Sequence, residues 1–285
     1  MIQMKVIITD LSLCCGCFDC QIACKDEHVG NDWLPYSLSE PDTGQFWLKV
    51  DQKVRGTVPK VRVSYLPQLC DHCDNAPCIK AATGGAIYKR SDGIVIIDPV
   101  KSVGQKNLVA ACPYGAIYWN DSLNIPQKCT MCANILDASS STTDPGLKVP
   151  RCVDACVTGA LQFGDDTDPA IQALLAQAEV LHPEYGAKPR VYYLNLPKTF
   201  IAGAVYDPSA DECIKGATVT ATDLTTGNAY TATTDIYGDF WFEGLVANKT
   251  YEVSMSADGY MSKKMMVFLK EDKNIGDIPL FKGGM

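Results

Sequence analysis

Hydrophobic and polar positions divide the 285-residue chain into two textures. Up to about residue 166 the apolar runs are short and broken by cysteine, glycine and proline; from Ile201 onward apolar and polar residues alternate at the strand period. Residues 4–10, apolar and β-branched, predict a first strand. Residues 33–69 lack cysteine, and Trp33, Trp47, Gly44, Gly56 and Pro59 mark an insertion with short strands around Phe46–Val50 and Val61–Tyr65. Gly84-Gly85-Ala86-Ile87-Tyr88, the turn Ser91-Asp92-Gly93 and Ile94-Val95-Ile96-Ile97-Asp98 predict a β-hairpin. Gly115-Ala116-Ile117-Tyr118-Trp119 and the polar turn Asn120-Asp121-Ser122 repeat that unit, and Gly159-Ala160-Leu161 is a weaker third copy, so an internal repeat is expected.

Residues 137–148 read as a surface loop. Asp168 before Pro169, with Ile171, Leu174, Leu175 and Val180 at helical spacing, predicts a helix over 168–182 that Pro183 ends. Residues 183–198 then form a linker or strap. Alternation in Ala217-Thr218-Val219-Thr220-Ala221-Thr222, turns at Gly227 and Gly238, and strands at 229–234, 240–243, 250–256, 262–269 and 276–280 predict an all-β sandwich, transthyretin-like or immunoglobulin-like. It carries no catalytic pattern, which makes it an interaction or docking module.

A 47% hydrophobic share with 20% charged residues fits a folded protein, and a net charge of −8 with no basic stripe excludes nucleic acid as a partner. No apolar run approaches the roughly 20 residues of a membrane span. Fourteen cysteines could form a disulfide framework. The first ten residues, however, lack a signal-peptide apolar region and a twin arginine, and the cysteines fall at x2 and x3 spacings. A reducing, cytoplasmic and anaerobic setting is expected, unless a partner bearing a signal exports the folded chain.

Cys14, Cys17, Cys20 and Cys24 form C-x2-C-x2-C-x3-C, the run by which bacterial-type ferredoxins hold [4Fe–4S] cubes. Three such thiolates wrap one cluster and the fourth reaches a neighbouring one. Ferredoxin-like subunits of large redox enzymes pair four cysteine groups, first with fourth and second with third. Here the groups are 14–24, 70–82, 102–112 and 129–156. The second keeps Cys70, Cys73 and Cys78 but has Ala82 where its last ligand should stand. The third keeps Cys112 but has Ser102, Gln105 and Leu108 in place of the rest. These four losses together make up the ligand set of one cluster. Three clusters are therefore predicted: at Cys14, Cys17, Cys20 and Cys156; at Cys129, Cys132, Cys152 and Cys24; and at Cys70, Cys73, Cys78 and Cys112.

Cys15 and Cys213 are left over and are expected as free thiols packed like small apolar residues. Zinc is the competing reading of C-x2-C pairs, but C-x2-C-x2-C-x3-C crowds too many thiolates for one zinc ion. His72 is read as a polar contact near the cluster sulfurs or a partner surface rather than a ligand. His28 and His182 read as surface or capping residues. Tyr88, Tyr114, Tyr118 and Trp119 read as core packing before electron relays.

Through Cys14–Cys24, Cys70-Asp-His-Cys-Asp-Asn-Ala-Pro-Cys78, Cys112-Pro-Tyr-Gly-Ala and Lys128-Cys-Thr-Met-Cys132 the chain resembles the iron–sulfur subunits that accompany molybdopterin enzymes of the dimethyl sulfoxide reductase family. Asp26-Glu27-His28, Arg55-Gly56-Thr57, Asp92-Gly93-Ile94-Val95, Lys188-Pro189-Arg190-Val191-Tyr192-Tyr193 and the missing cluster make it similar to those serving transhydroxylases of polyhydroxylated aromatics. Cys156-Val157, where ferredoxins have Cys-Pro, is a departure.

The resemblance implies an α+β, duplicated bacterial-ferredoxin-like domain at 1–166 (insertion 33–69), a helix and strap at 167–198 and the sandwich at 199–285. It implies a non-catalytic electron-transfer subunit, in a heterodimer with a large subunit that alone holds a molybdenum bis-pterin cofactor. Transhydroxylation has no net redox change, so the lost cluster is expected at the end far from that partner. A reductive catechol dehydroxylase, an aromatic hydroxylase and a free-standing polyferredoxin are the alternatives.

Overall fold

A computed structural model describes residues 3–138 and 146–283. The chain divides into two compact units, one of residues 1–52 and 65–196, the other of 53–64 and 197–285.

The first unit is organised around β1 (Lys5–Asp10), whose Val6-Ile7-Ile8 run is wholly buried. Burial on both faces explains the unbroken apolar run. Helix α1 (Asp19–His28) follows, and then β2 (Leu48–Thr57) and β3 (Lys60–Leu69) pair as a long hairpin. Two short strands were expected in residues 33–69; instead each is ten residues long. The tip, residues 53–64, belongs to the second unit, so contacts remote in sequence decide its length.

Next come α2 (Pro77–Ala81), the hairpin β4 (Ile87–Lys89) and β5 (Val95–Ile97), α3 (Asn107–Ala110), and the hairpin β6 (Tyr118–Asn120) and β7 (Ile125–Gln127). A hairpin thus follows each of the first two Gly-Ala-Ile-Tyr segments. The third segment behaves differently. After α4 (Ala133–Ala138) and α5 (Arg151–Asp154), strand β8 (Leu161–Asp165) pairs antiparallel with β1. The loop expected at 137–148 falls largely on residues 139–145, outside the described residues.

Asp168 caps α6 (Pro169–Leu175) by accepting the Ala170 N–H. The helix is shorter than the expected 168–182. Beyond it, Glu179 exchanges two backbone hydrogen bonds of 2.8 Å with Tyr193, and this bridge takes over where helical bonding would have continued. The strap contains β9 (Val191–Leu194), which pairs parallel with β1 and completes the sheet β8-β1-β9.

In the second unit, β10 (Phe200–Asp207), β11 (Glu212–Cys213), β12 (Thr218–Asp223), β13 (Ala229–Thr233), β14 (Asp239–Glu243), β15 (Lys249–Ser256), β16 (Lys263–Leu269) and β17 (Lys273–Pro279) form two sheets. One has β10 paired with β11, β14 and β17; the other has the order β13-β12-β15-β16. Alternation holds: Val219, Ala221 and Asp223 turn inward, as do Tyr251, Val253 and Met255. Tyr251 reaches its buried hydroxyl back to the Val246 backbone, accepting from N–H at 2.9 Å and donating to C=O at 3.1 Å. At the tip of the long hairpin Arg55 binds Asp272 bidentately at 2.7 and 2.8 Å.

Among the described residues no helix is long and apolar enough to cross a membrane.

Candidate metal centres

Helix α1 buries Cys20, Cys24 and His28, at i, i+4 and i+8, along one stripe. Cys20 and Cys24 therefore project from one face a turn apart. Ahead of the helix, Gly16 takes φ 70°, and a Cβ there would lie 2.4 Å from the Tyr65 ring. Only glycine lets the cysteine run pass that ring. Phe18 (φ 65°), His72 (φ 44°), Met131 (φ 54°) and Cys132 (φ 49°) also adopt left-handed backbone, which is uncommon outside glycine and asparagine.

All fourteen cysteines are free thiols. Charge on Cys14, Cys17 or Cys156 would act on Cys20. Cys24 has Cys129, Cys132 and Cys152 as its neighbours in the same sense. Cys73 has Cys70, Cys78 and Cys112, and these four thiols line one cavity. The neighbourhoods also touch: Cys152 feels Cys20, and Cys129 feels Cys70. The set containing Cys24 thus lies between the other two.

Burial pushes Cys20, Cys129 and Cys132 up to about 12 and Cys78 up to about 11. Cys24 and Cys152 go well above the usual thiol range for the same reason, reinforced by the neighbouring sulfurs. Backbone amides work the other way. The N–H groups of Met131, Ala116 and Leu161 donate to Cys129, Cys112 and Cys156 sulfurs at 3.3, 3.4 and 3.4 Å. These pockets keep bare thiols protonated yet offer donors to sulfur once a cation has displaced the protons. Among the described residues no three His, Cys, Asp or Glu side chains converge closely enough to hold a single metal ion.

Comparison with known proteins gives this arrangement a family. Residues 61–166 match the 4Fe-4S dicluster domain, and residues 201–277 the carboxypeptidase regulatory-like domain. The chain is 37% identical to the pyrogallol hydroxytransferase small subunit of Pelobacter acidigallici, over 98% of this chain and 100% of that one. It is 37% identical to one of the subunits of the sulfite dehydrogenase of Allochromatium vinosum, over 70% and 85% of the two chains. With the iron–sulfur subunit of the arsenate respiratory reductase of a Shewanella species the identity is 30%, over 66% and 95%. The chain belongs to the iron–sulfur subunits of the dimethyl sulfoxide reductase family. Its two units are accordingly a ferredoxin-like α+β domain and a β-rich immunoglobulin-like domain.

In this iron–sulfur subunit protein packing and hydrogen bonding account for three of the four positions that lack cysteine, Ala82, Gln105 and Leu108. Gln105 accepts the Thr83 N–H at 3.1 Å and donates to Thr83 and Lys101 carbonyls at 3.2 and 2.9 Å. Leu108 is fully buried in the same core as Cys73, Cys78 and Ile97, with Ala82 packed against it. Ser102 is buried too, its hydroxyl without a hydrogen-bond partner among the described residues.

Several other expectations need correction. Cys15 and Cys213 are exposed rather than packed as small apolar residues; Cys15 lies in the loop before α1 and Cys213 in the two-residue edge strand β11. His28 is not a surface residue. It is 1% exposed, its ring 4.5 Å from that of Trp47, and burial lowers its pKa to about 4. The sequence carries the signal in its i+4 spacing from Cys24. His182 is exposed, stacked on Tyr185 and paired with Glu184 at 2.9 Å, as a surface residue should be. Tyr88 is exposed because strand alternation in β4 turns Ile87 inward instead, whereas Tyr114 and Tyr118 pack against buried residues.

Proposed function

We propose that twelve of the cysteines hold three [4Fe–4S] clusters: Cys14, Cys17, Cys20 and Cys156 one, Cys24, Cys129, Cys132 and Cys152 the second, and Cys70, Cys73, Cys78 and Cys112 the third. The observation that carries this reading is the cavity walled by all four thiols of the third set. Four thiols around one cavity are the donor chemistry of such clusters, with Asp71 also on the wall. A single zinc ion needs its sulfurs about 2.3 Å from it, and among the described residues no three donor side chains are grouped to hold one ion. Bound clusters supply one-electron transfer. The protein contributes thiolates, amide donors to sulfur and exclusion of water. Repetition of the cysteine–hairpin unit supports an origin by duplication, with domains at 1–166, 167–198 and 199–285.

The chain is a non-catalytic electron-transfer subunit, and its partner is a large molybdopterin subunit that contains the reacting centre. Full-length similarity to the pyrogallol hydroxytransferase small subunit supports a heterodimer that transfers hydroxyl groups among polyhydroxylated aromatics in the anaerobic cytoplasm. Occupation of the fourth niche by Gln105 and Leu108 supports a line of clusters that ends inside the protein, away from the partner.

The test is anaerobic purification of the whole complex, with metal analysis and assay. About twelve iron atoms per chain, molybdenum in the partner and turnover without an external donor are expected. About four or about sixteen iron atoms would overturn the cluster assignment. Turnover that requires an external reductant would move the complex to the reductive catechol dehydroxylases.

A further inference from the structure

The cavity between Cys70, Cys73, Cys78 and Cys112 has His72 and Lys128 on its wall, and protein packing accounts for neither. His72 is fully buried, and its Nδ1 accepts the Val95 N–H at 3.0 Å. In the neutral ring the proton must then be on Nε2. Nε2 has no acceptor among the described residues, and leaving a buried donor unmatched is costly. The chain also holds His72 at φ 44°, a region that L side chains rarely enter.

Lys128 is 3% exposed. Its Nζ donates to the carbonyls of Val95 and Cys129, two neutral acceptors for a full charge. Nearby Lys89 has Asp74 at 2.7 Å, but Lys128 has no carboxylate in ion-pair range among the described residues. Burying an ammonium group without a counter-charge is strongly unfavourable. The negative charge available to it is that of the sulfurs, since its field acts on Cys78 and Cys129. The opposing group is Asp71, which lines the same cavity and faces Cys73 and Cys112.

We propose that Lys128 and the Nε2–H of His72 are positioning groups that raise the reduction potential at Cys70, Cys73, Cys78 and Cys112, so that an electron entering the chain comes to rest there. This rests on the cluster assignment above. An added electron places one more negative charge in this cavity, where a fixed cation and a fixed donor favour it. Position agrees with this role. The set containing Cys24 lies between this set and that of Cys20, and the niche beyond Cys78 is filled by Leu108 and Gln105. The electron has nowhere further to go.

The test is a redox titration of the intact complex followed by EPR, with iron analysis of every variant. In the unaltered complex the first signal to reduce should be the one that Cys73→Ser removes. Lys128→Met should shift that reduction equilibrium roughly tenfold or more toward the oxidised form, which is 59 mV for a one-electron couple; Lys128→Arg, which keeps the charge, should shift it less. His72→Phe should shift it the same way, and His72→Gln, which keeps a donor, should recover part of the loss. Full iron content in Cys73→Ser would sink the cluster assignment itself. Full iron with unchanged potentials in Lys128→Met and His72→Phe, or first reduction at another cluster, would overturn this inference alone. Should Lys128→Met fail to fold, the His72 pair decides.

Discussion

In the immunoglobulin-like unit, Phe240, Tyr251, Val253 and Met255 are buried against one another across two sheets. In the ferredoxin-like unit the buried residues include Cys20, Cys24, Cys70, Cys129 and Cys152, and its hairpin strands after the cysteine groups are three residues long. The first arrangement is complete in carbon: apolar area removed from water supplies the driving force. In the second, those sulfurs share the core with large apolar side chains such as Ile7, Trp47, Ile94 and Tyr193, and short strands alone are marginal. Two units of one chain thus depend on different chemistry for their stability. One is held by hydrophobic packing and the other by packing together with whatever binds its thiols.

The largest test of this contrast is Cys152→Ser. Cys152 is buried, and its neighbours come from two separate stretches of chain: Cys20 from one, Cys129 and Cys132 from the other. Its loss should remove about four of about twelve iron atoms and abolish the thermal transition of the ferredoxin-like unit, leaving that of the sandwich in place. Calorimetry with iron analysis checks this; simultaneous loss of both transitions would show that the units do not differ as described. Phe240→Ala is the converse. Phe240 is 1% exposed in the sandwich core, and truncation of such a ring costs about 3–5 kcal/mol. The sandwich should melt earlier while iron content and EPR spectra stay unchanged.

A pH test sharpens the contrast within the ferredoxin-like unit. His28 is buried beside Trp47, and burial depresses its pKa to about 4, against about 6.5 in an unfolded chain. Below pH 6.5 the unfolded chain takes up a proton that the folded chain refuses. The contribution is therefore fully present above pH 6.5 and is lost as pH falls toward 4. Between pH 7 and pH 5 the loss should be about 2 kcal/mol. His28→Phe should flatten that slope in denaturant unfolding of the first unit; an unchanged slope would mean that His28 is not the group responsible.

What the sequence disclosed follows the same division. The cysteine groups were legible because each is a local spacing, and the sandwich because strand alternation survives in Val219, Ala221 and Asp223. Remote contacts were not legible. The hairpin at 48–69 is longer than expected because Arg55 at its tip finds Asp272, 217 residues away. The helix from Pro169 ends early because the Glu179 backbone pairs with Tyr193. His28 looked like a surface residue because the charged Lys25, Asp26 and Glu27 precede it, although the stripe through Cys20 and Cys24 carries it inward.

The smallest expected effect concerns the register of the first cysteine run. Cys14 and Cys15 are adjacent, so two readings of the run differ by one residue. Cys15 is exposed, whereas Cys14 is half-buried and is raised by burial, with Cys156 among its neighbours. Gly16 fixes the choice: with φ 70° and the Tyr65 ring against its Cα, it turns the chain so that Cys14 and Cys17 both neighbour Cys20. Cys15→Ser should therefore leave iron content, potentials and melting of the whole complex unchanged, while Cys17→Ser lowers the iron by about four atoms. Metal analysis of the two variants side by side decides it, since iron lost from Cys15→Ser and kept in Cys17→Ser would shift the run by one residue.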